Sequence, residues 1–117
     1  MTKITPSPIS LLNDIVYLED KPAIKVLLET SFTKEIRIVM KKGQEMKKHQ
    51  TPFPIVIQMI EGTIQFGVDN AIIPLQKGDL ITLEGGVPHN LISMENCAIR
   101  LTLSRQDQTS RVQKIID

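Results

Sequence analysis

The chain has 117 residues, of which 41% are hydrophobic and 23% charged, with a net charge of +1. That length suits one domain burying about two-thirds of the surface its unfolded form exposes, and the composition excludes a disordered chain. Near-zero charge with one Tyr, three Phe and no Trp argues against nucleic-acid binding, which needs a basic field and aromatic stacking platforms.

The opening residues, MTKITPSPISLLNDIVYLED, contain no apolar core of signal-peptide length, so no export signal is read and a cytoplasmic protein is expected. Cys97, the one cysteine, excludes an internal disulfide or a cysteine-based zinc site and suits a reducing compartment. Ser7 before Pro8 predicts a helical turn or two over 8–13, with Ser7 as N-cap. Strands follow. In AIKVLLE, Ile24, Val26 and Leu28 fall on one face; in EIRIVM, Ile36, Ile38 and Met40 do so, opposite Glu35 and Arg37. TIQFGV repeats the pattern with Ile64, Phe66 and Val68, and AIRLTLS with Ile99, Leu101 and Leu103. A period of two marks half-buried strands.

Turn signals separate them at Lys42-Gly43, Glu61-Gly62, Asp69-Asn70, Lys77-Gly78-Asp79 and Gly85-Gly86. Turns at this spacing predict an all-β antiparallel sandwich or barrel. The longest apolar run, Pro52 to Ile60, is far too short to span a bilayer. From Ile55 to Ile60 both faces are apolar apart from Gln58, which predicts either a central strand or one covered by a second subunit. The subunit is the favoured reading, giving a homodimer. Lys41, Lys42, Lys47 and Lys48 cluster around a turn and read as a solvated hairpin, since Glu45 interrupts any phosphate-binding patch. After Ser104 the polar residues 105–117 read either as a loose tail or as a segment whose Val112 and Ile115 dock on a neighbour. The chain is read as one domain, 1–117, with a core over about 15–104.

Two blocks carry the most specific pattern. Gly43 precedes His49 by six positions, and Thr51, Ile55 and Gly62 follow; Gly78 then leads to Gly86 and His89. These blocks resemble the two motifs of the cupin superfamily, Gly-x5-His-x-His-x3or4-Glu-x6-Gly and Gly-x5-Pro-x-Gly-x2-His-x3-Asn. HQTPFPIVIQMIEGTIQFGV and LQKGDLITLEGGVPHNLIS further resemble small single-domain cupins of unassigned function, in which a His-x-Thr/Ala-Pro-Phe segment replaces the His-x-His pair. The resemblance implies an RmlC-like jelly-roll barrel and a dimer.

It also implies a metal site, here degenerate. His49 and His89 match two of the family's four ligands, whereas Thr51 stands for the second histidine and Ile55 for the glutamate; Glu84 and Ser93 replace the family proline and asparagine. Two imidazoles fall short of the three protein ligands usual in catalytic zinc sites and of the 2-His-1-carboxylate triad. A divalent transition metal (Zn, Ni, Mn or Fe) is therefore expected at low occupancy or not at all. Gln44 or Gln58 could add to the shell, but Gln58 has the wrong parity if Ile55, Ile57 and Met59 face inward. Asp69 and Asp79 sit in predicted turns and offer the histidines no carboxylate partner. The expected pocket is lined by Thr51, Phe53, Ile55, Ile57, Met59 and Leu91 beside the two histidines, while Met40 and Phe66 read as plain core. No catalytic residue is assigned. The leading function is a small-molecule binding or sensing module; the alternative is a metal-dependent enzyme of the dioxygenase or isomerase type with an incomplete ligand set.

Overall fold

The structure, a computed structural model, describes residues 6–106 and 109–116. In chain order the strands are β1 (Ala23–Glu29), β2 (Thr33–Met40), β3 (Glu45–His49), β4 (Ile55–Glu61), β5 (Thr63–Val68), β6 (Ala71–Gln76), β7 (Leu80–Leu83), β8 (His89–Ser93) and β9 (Cys97–Ser104). One helix follows, α1 (Thr109–Ile116). The strands form a five-stranded sheet, β1-β2-β9-β4-β7, and a four-stranded sheet, β3-β8-β5-β6, with antiparallel pairing throughout. Two such sheets facing each other make the jelly roll expected from the alternation.

The period of two decides what fills the space between them. Ile36, Ile38 and Met40 of β2, Ile99, Leu101 and Leu103 of β9, and Ile55, Ile57 and Met59 of β4 meet Ile64, Phe66 and Leu91 of the other sheet in one buried cluster. Asp69 and Asn70 adopt left-handed φ angles of 50° and 61°, the geometry of a two-residue hairpin that feeds β5 into β6. Pro74 sits in β6, which pairs only with β5, so its missing N–H falls on an edge strand.

Three local expectations differ from what is observed. Leu28 does not share a face with Ile24 and Val26: the register shifts between Val26 and Leu28, placing Leu28 opposite Glu35 and leaving it exposed. A bulge adds one residue to a strand and turns everything after it over. The residues 8–13 form bends and a turn rather than a helix. Arg37, buried on the outer face of β2, donates from its guanidinium to the carbonyls of Leu11 (3.3 Å), Asn13 (2.8 Å) and Asp14 (3.4 Å). Those long-range bonds hold the segment across the sheet and outweigh a short helix, which is marginal in isolation. Finally, 105–117 is not simply a polar tail, because Thr109–Ile116 is helical and its Val112 is only 2% exposed.

The strand β4 is central in its sheet, between β9 and β7. Its outward residues Val56, Gln58 and Ile60 are half-buried, and beside them Leu80 of β7 is 66% exposed. Gln58 therefore points away from the barrel interior, as its parity required, into a shallow outer groove shared with Val56, Leu80, Arg100 and Thr102.

Candidate functional site

The site begins with the pairing of β3 and β8, which sets His49 directly opposite His89. Met46 is paired with Leu91, so β3 carries one more residue than β8 over this interval. That bulge is essential to the site. Without it, an inward Met46 would put Lys48 inward and His49 outward, by simple alternation. With it, Met46, His49, His89 and Leu91 all face one cavity.

The two imidazoles meet edge to face, with ring centroids 4.2 Å apart and planes at 61°. Phe66 lies behind His89 at 5.6 Å between ring centroids. The Nδ1 of each ring is tied to a backbone carbonyl two residues earlier, His49 to Lys47 O at 2.6 Å and His89 to Val87 O at 3.0 Å. A carbonyl can only accept, so Nδ1 must carry the proton and donate; the neutral ring then presents Nε2 as a lone-pair acceptor. Burial lowers the pKa of both rings below the ordinary histidine value, and the proximity of His89 adds to the lowering at His49. Both are therefore neutral at pH 7. Among the described residues, neither Nε2 has a hydrogen-bond partner.

The remaining lining is almost wholly apolar. Thr51, Ile55, Ile57 and Leu91 line the cavity as the sequence suggested, and Ile38, Leu101 and Leu103 join them from the opposite sheet. Phe53 is half-buried in the β3–β4 loop and Met59 is buried further along β4; neither lines this cavity. The Thr51 hydroxyl donates to Phe53 O at 2.7 Å and so is already engaged. The loop carrying Thr51 is fastened to the one preceding His89, since Gly86 N–H donates to Thr51 O at 2.7 Å. A side chain at Gly85 would stand 2.4 Å from Pro52 O, so only glycine permits this approach. In this way the two motif blocks become one site.

Val112 and Ile115 of α1 are not in the pocket read from the sequence, yet both line the cavity with the histidines, and α1 packs against β3. Their spacing on a helix was the available signal, and the surrounding polar residues concealed it. With α1 in place the cavity holds about 20 Å³, room for roughly one water.

The donor set does not fit a resident transition metal. Among the described residues no three His, Cys, Asp or Glu side chains converge. The Gln44 amide is spent on Lys41 N and on the carbonyls of Leu18 and Glu19. Asp79 caps its own turn by accepting from Gln76 N, and Cys97 is buried beside Ser93, with burial pushing its thiol pKa up. Among the described residues, an ion at this site would find two protein ligands, His49 and His89.

A family model described as an AraC-like ligand binding domain matches residues 35–110. Among solved structures, an RmlC-like cupin protein from Desulfovibrio desulfuricans superposes with a TM-score of 0.78 at 20% identity, over 86% of this chain and 97% of that one. An RmlC-like cupin from Shewanella frigidimarina gives 0.75 at 19% identity, over 95% and 99% of the two chains. A conserved protein of unknown function from Streptococcus pyogenes gives 0.74 at 18% identity, over 91% and 93%. These likenesses establish the fold. No curated protein matches the sequence. Among the described residues, no helix is long and apolar enough to cross a membrane.

Proposed function

We propose that this chain, which belongs to the family of AraC-like ligand binding domains and has the cupin fold, is a small-molecule binding or sensing module. One observation carries the reading: two neutral imidazoles, each anchored through Nδ1 and so left with Nε2 as its acceptor, meet with ring centroids 4.2 Å apart in the wall of an otherwise apolar cavity. A buried acceptor without a partner is unfavourable by about 1–3 kcal/mol. Such an acceptor at the buried His89, beside a second at the half-buried His49, is what a binding site for a donor offers.

The chemistry of the walls defines the ligand class. Among the described residues of the lining, an anion would find no cation and a cation no carboxylate. The fitting ligand is uncharged and mostly apolar, with a hydroxyl or N–H that donates to His49 or His89. A divalent metal, where one binds, is held weakly by these two imidazoles alone, since Thr51 and Ile55 cannot replace an imidazole and a carboxylate. The exposed Leu80 and the half-buried Val56 and Ile60 support a homodimer through the outer face of β4 and β7, and the single buried thiol of Cys97 supports a cytoplasmic setting.

The test is titration of the full chain with 4-propylphenol, followed by NMR of the histidine ring signals. Binding should shift both rings in the wild type, and His89→Leu should weaken it about tenfold or more, as loss of one well-formed hydrogen bond in an apolar site does. Equal affinity in wild type, His49→Leu and His89→Leu would remove the histidines from the binding site.

A further inference from the structure

We infer that α1 is a reversible plug of the histidine pocket, so that a seated helix and a bound ligand exclude each other. The inference rests on the binding reading given above and adds to it a mechanism by which occupancy is signalled outside the barrel.

The volumes lead to it. Pockets that enclose organic ligands measure about 300–1,000 Å³, whereas this cavity has about 20 Å³ with Val112 and Ile115 in place. Apart from Thr51, whose loop is fastened to Gly86, the other walls are strands of two hydrogen-bonded sheets, and their apolar side chains belong to the common core. The element able to leave without breaking a sheet is α1. It follows the last strand, β9, which ends at Ser104, and it packs against β3, the strand that carries His49.

The helix also has the properties of something that detaches. It spans eight residues, from Thr109 to Ile116, well below the length at which helices persist alone in water. Its sequence, TSRVQKII, has no acidic residue in the first turn to favour the helix dipole. Its order therefore derives from docking Val112 and Ile115 into the barrel. A ligand taking that space removes the reason for the helix, and the tether after Ser104 keeps the segment close enough to return.

The apparent affinity of such a pocket is its intrinsic affinity multiplied by the fraction of molecules with the plug out. Weakening the plug must therefore tighten binding. This behaviour separates a plug from a fixed wall, because weakening a wall loses contacts and loosens binding.

The experiment is amide hydrogen exchange by NMR on full-length wild type, Ile115→Asp and Val112→Ala, each with and without saturating 4-propylphenol. In wild type the probe should accelerate exchange across Thr109–Ile116 about tenfold or more, while the amides of Ile36–Met40 stay protected. Both variants should exchange fast in α1 before any probe is added and bind the probe about tenfold more tightly. The mild Val112→Ala, with core protection as its control, guards against a charged variant that fails to fold. Probe binding to wild type with α1 protection unchanged or increased, or weaker binding in the variants, would overturn the plug and leave the pocket standing. Fast α1 exchange in folded variants that still bind no probe would instead overturn the pocket reading and the plug with it.

Discussion

Replacing the pocket histidines with leucine should make the protein more stable. His89 is 3% exposed and no described residue hydrogen-bonds its Nε2; an acceptor so buried disfavours the folded state by about 1–3 kcal/mol wherever nothing pairs with it. Leucine removes that acceptor and fills a similar volume. It also forfeits the bond from Nδ1 to Val87 O, a net loss of about 0.5–1.5 kcal/mol. The balance for His89→Leu is a gain of about 1 kcal/mol, or about 3–6 °C in Tm for a domain of this size; the half-buried His49 should give less. The assay is urea unfolding at pH 8, repeated down to pH 5. Both histidines have folded-state pKa values lowered from 6.5 by burial, so below that pH the unfolded chain binds protons the folded one refuses. Wild-type stability should thus decline as pH falls from about 7 through 6.5 and below, and the double leucine variant should decline less. A His89→Leu protein less stable than wild type by more than about 1 kcal/mol at pH 8 would refute the reasoning, as would parallel pH profiles.

Two further outcomes are expected. Light scattering should return about twice the chain mass of 13.2 kDa, and Val56→Lys or Ile60→Lys should shift it toward the monomer; a wild-type monomer at high micromolar concentration would leave the exposed Leu80 and the groove beside it unexplained. Elemental analysis of untagged protein should find Zn, Ni, Mn or Fe well below one per chain and lost to a mild chelator, whereas full occupancy that survives chelation and vanishes in His49→Ala and His89→Ala would show a third ligand at work and favour the enzyme reading.

The sequence exposed the fold because the jelly roll is written in local signals: alternation in β2, β5 and β9, and turn residues such as Asp69-Asn70 between them. It exposed the pairing of His49 with His89 through matched motif spacing, although simple parity from Met46 would have turned His49 outward; the bulge that reverses it has no marker in the residues EMKKH. The same kind of irregularity misplaced Leu28. Phe53 and Met59 were assigned to the pocket on hydrophobicity and parity, but depth along a strand separates Met59 from Ile57, and alternation carries no information about depth. The N-terminal segment and α1 were misread for a shared reason. Each is shaped by a distant partner, Arg37 in one case and the barrel mouth in the other, and local propensity does not see partners at that range.

Burial of the α1 side chains and burial of the imidazole acceptors act on the same closure. Burying Val112 favours a seated helix by about 1.5–3 kcal/mol, but the same closure leaves room for only about one water beside two Nε2 acceptors that no described side chain satisfies. The two contributions are of similar size and opposite sign, so closure is held by a small margin, and each 1.4 kcal/mol of that margin is tenfold in the open fraction. Removing the acceptors with His49→Leu and His89→Leu should therefore seat α1 more firmly as well as raise global stability. On the proposed binding reading, the imidazoles then have two linked consequences: they supply the acceptors a donor ligand needs, and they keep the proposed plug from closing permanently.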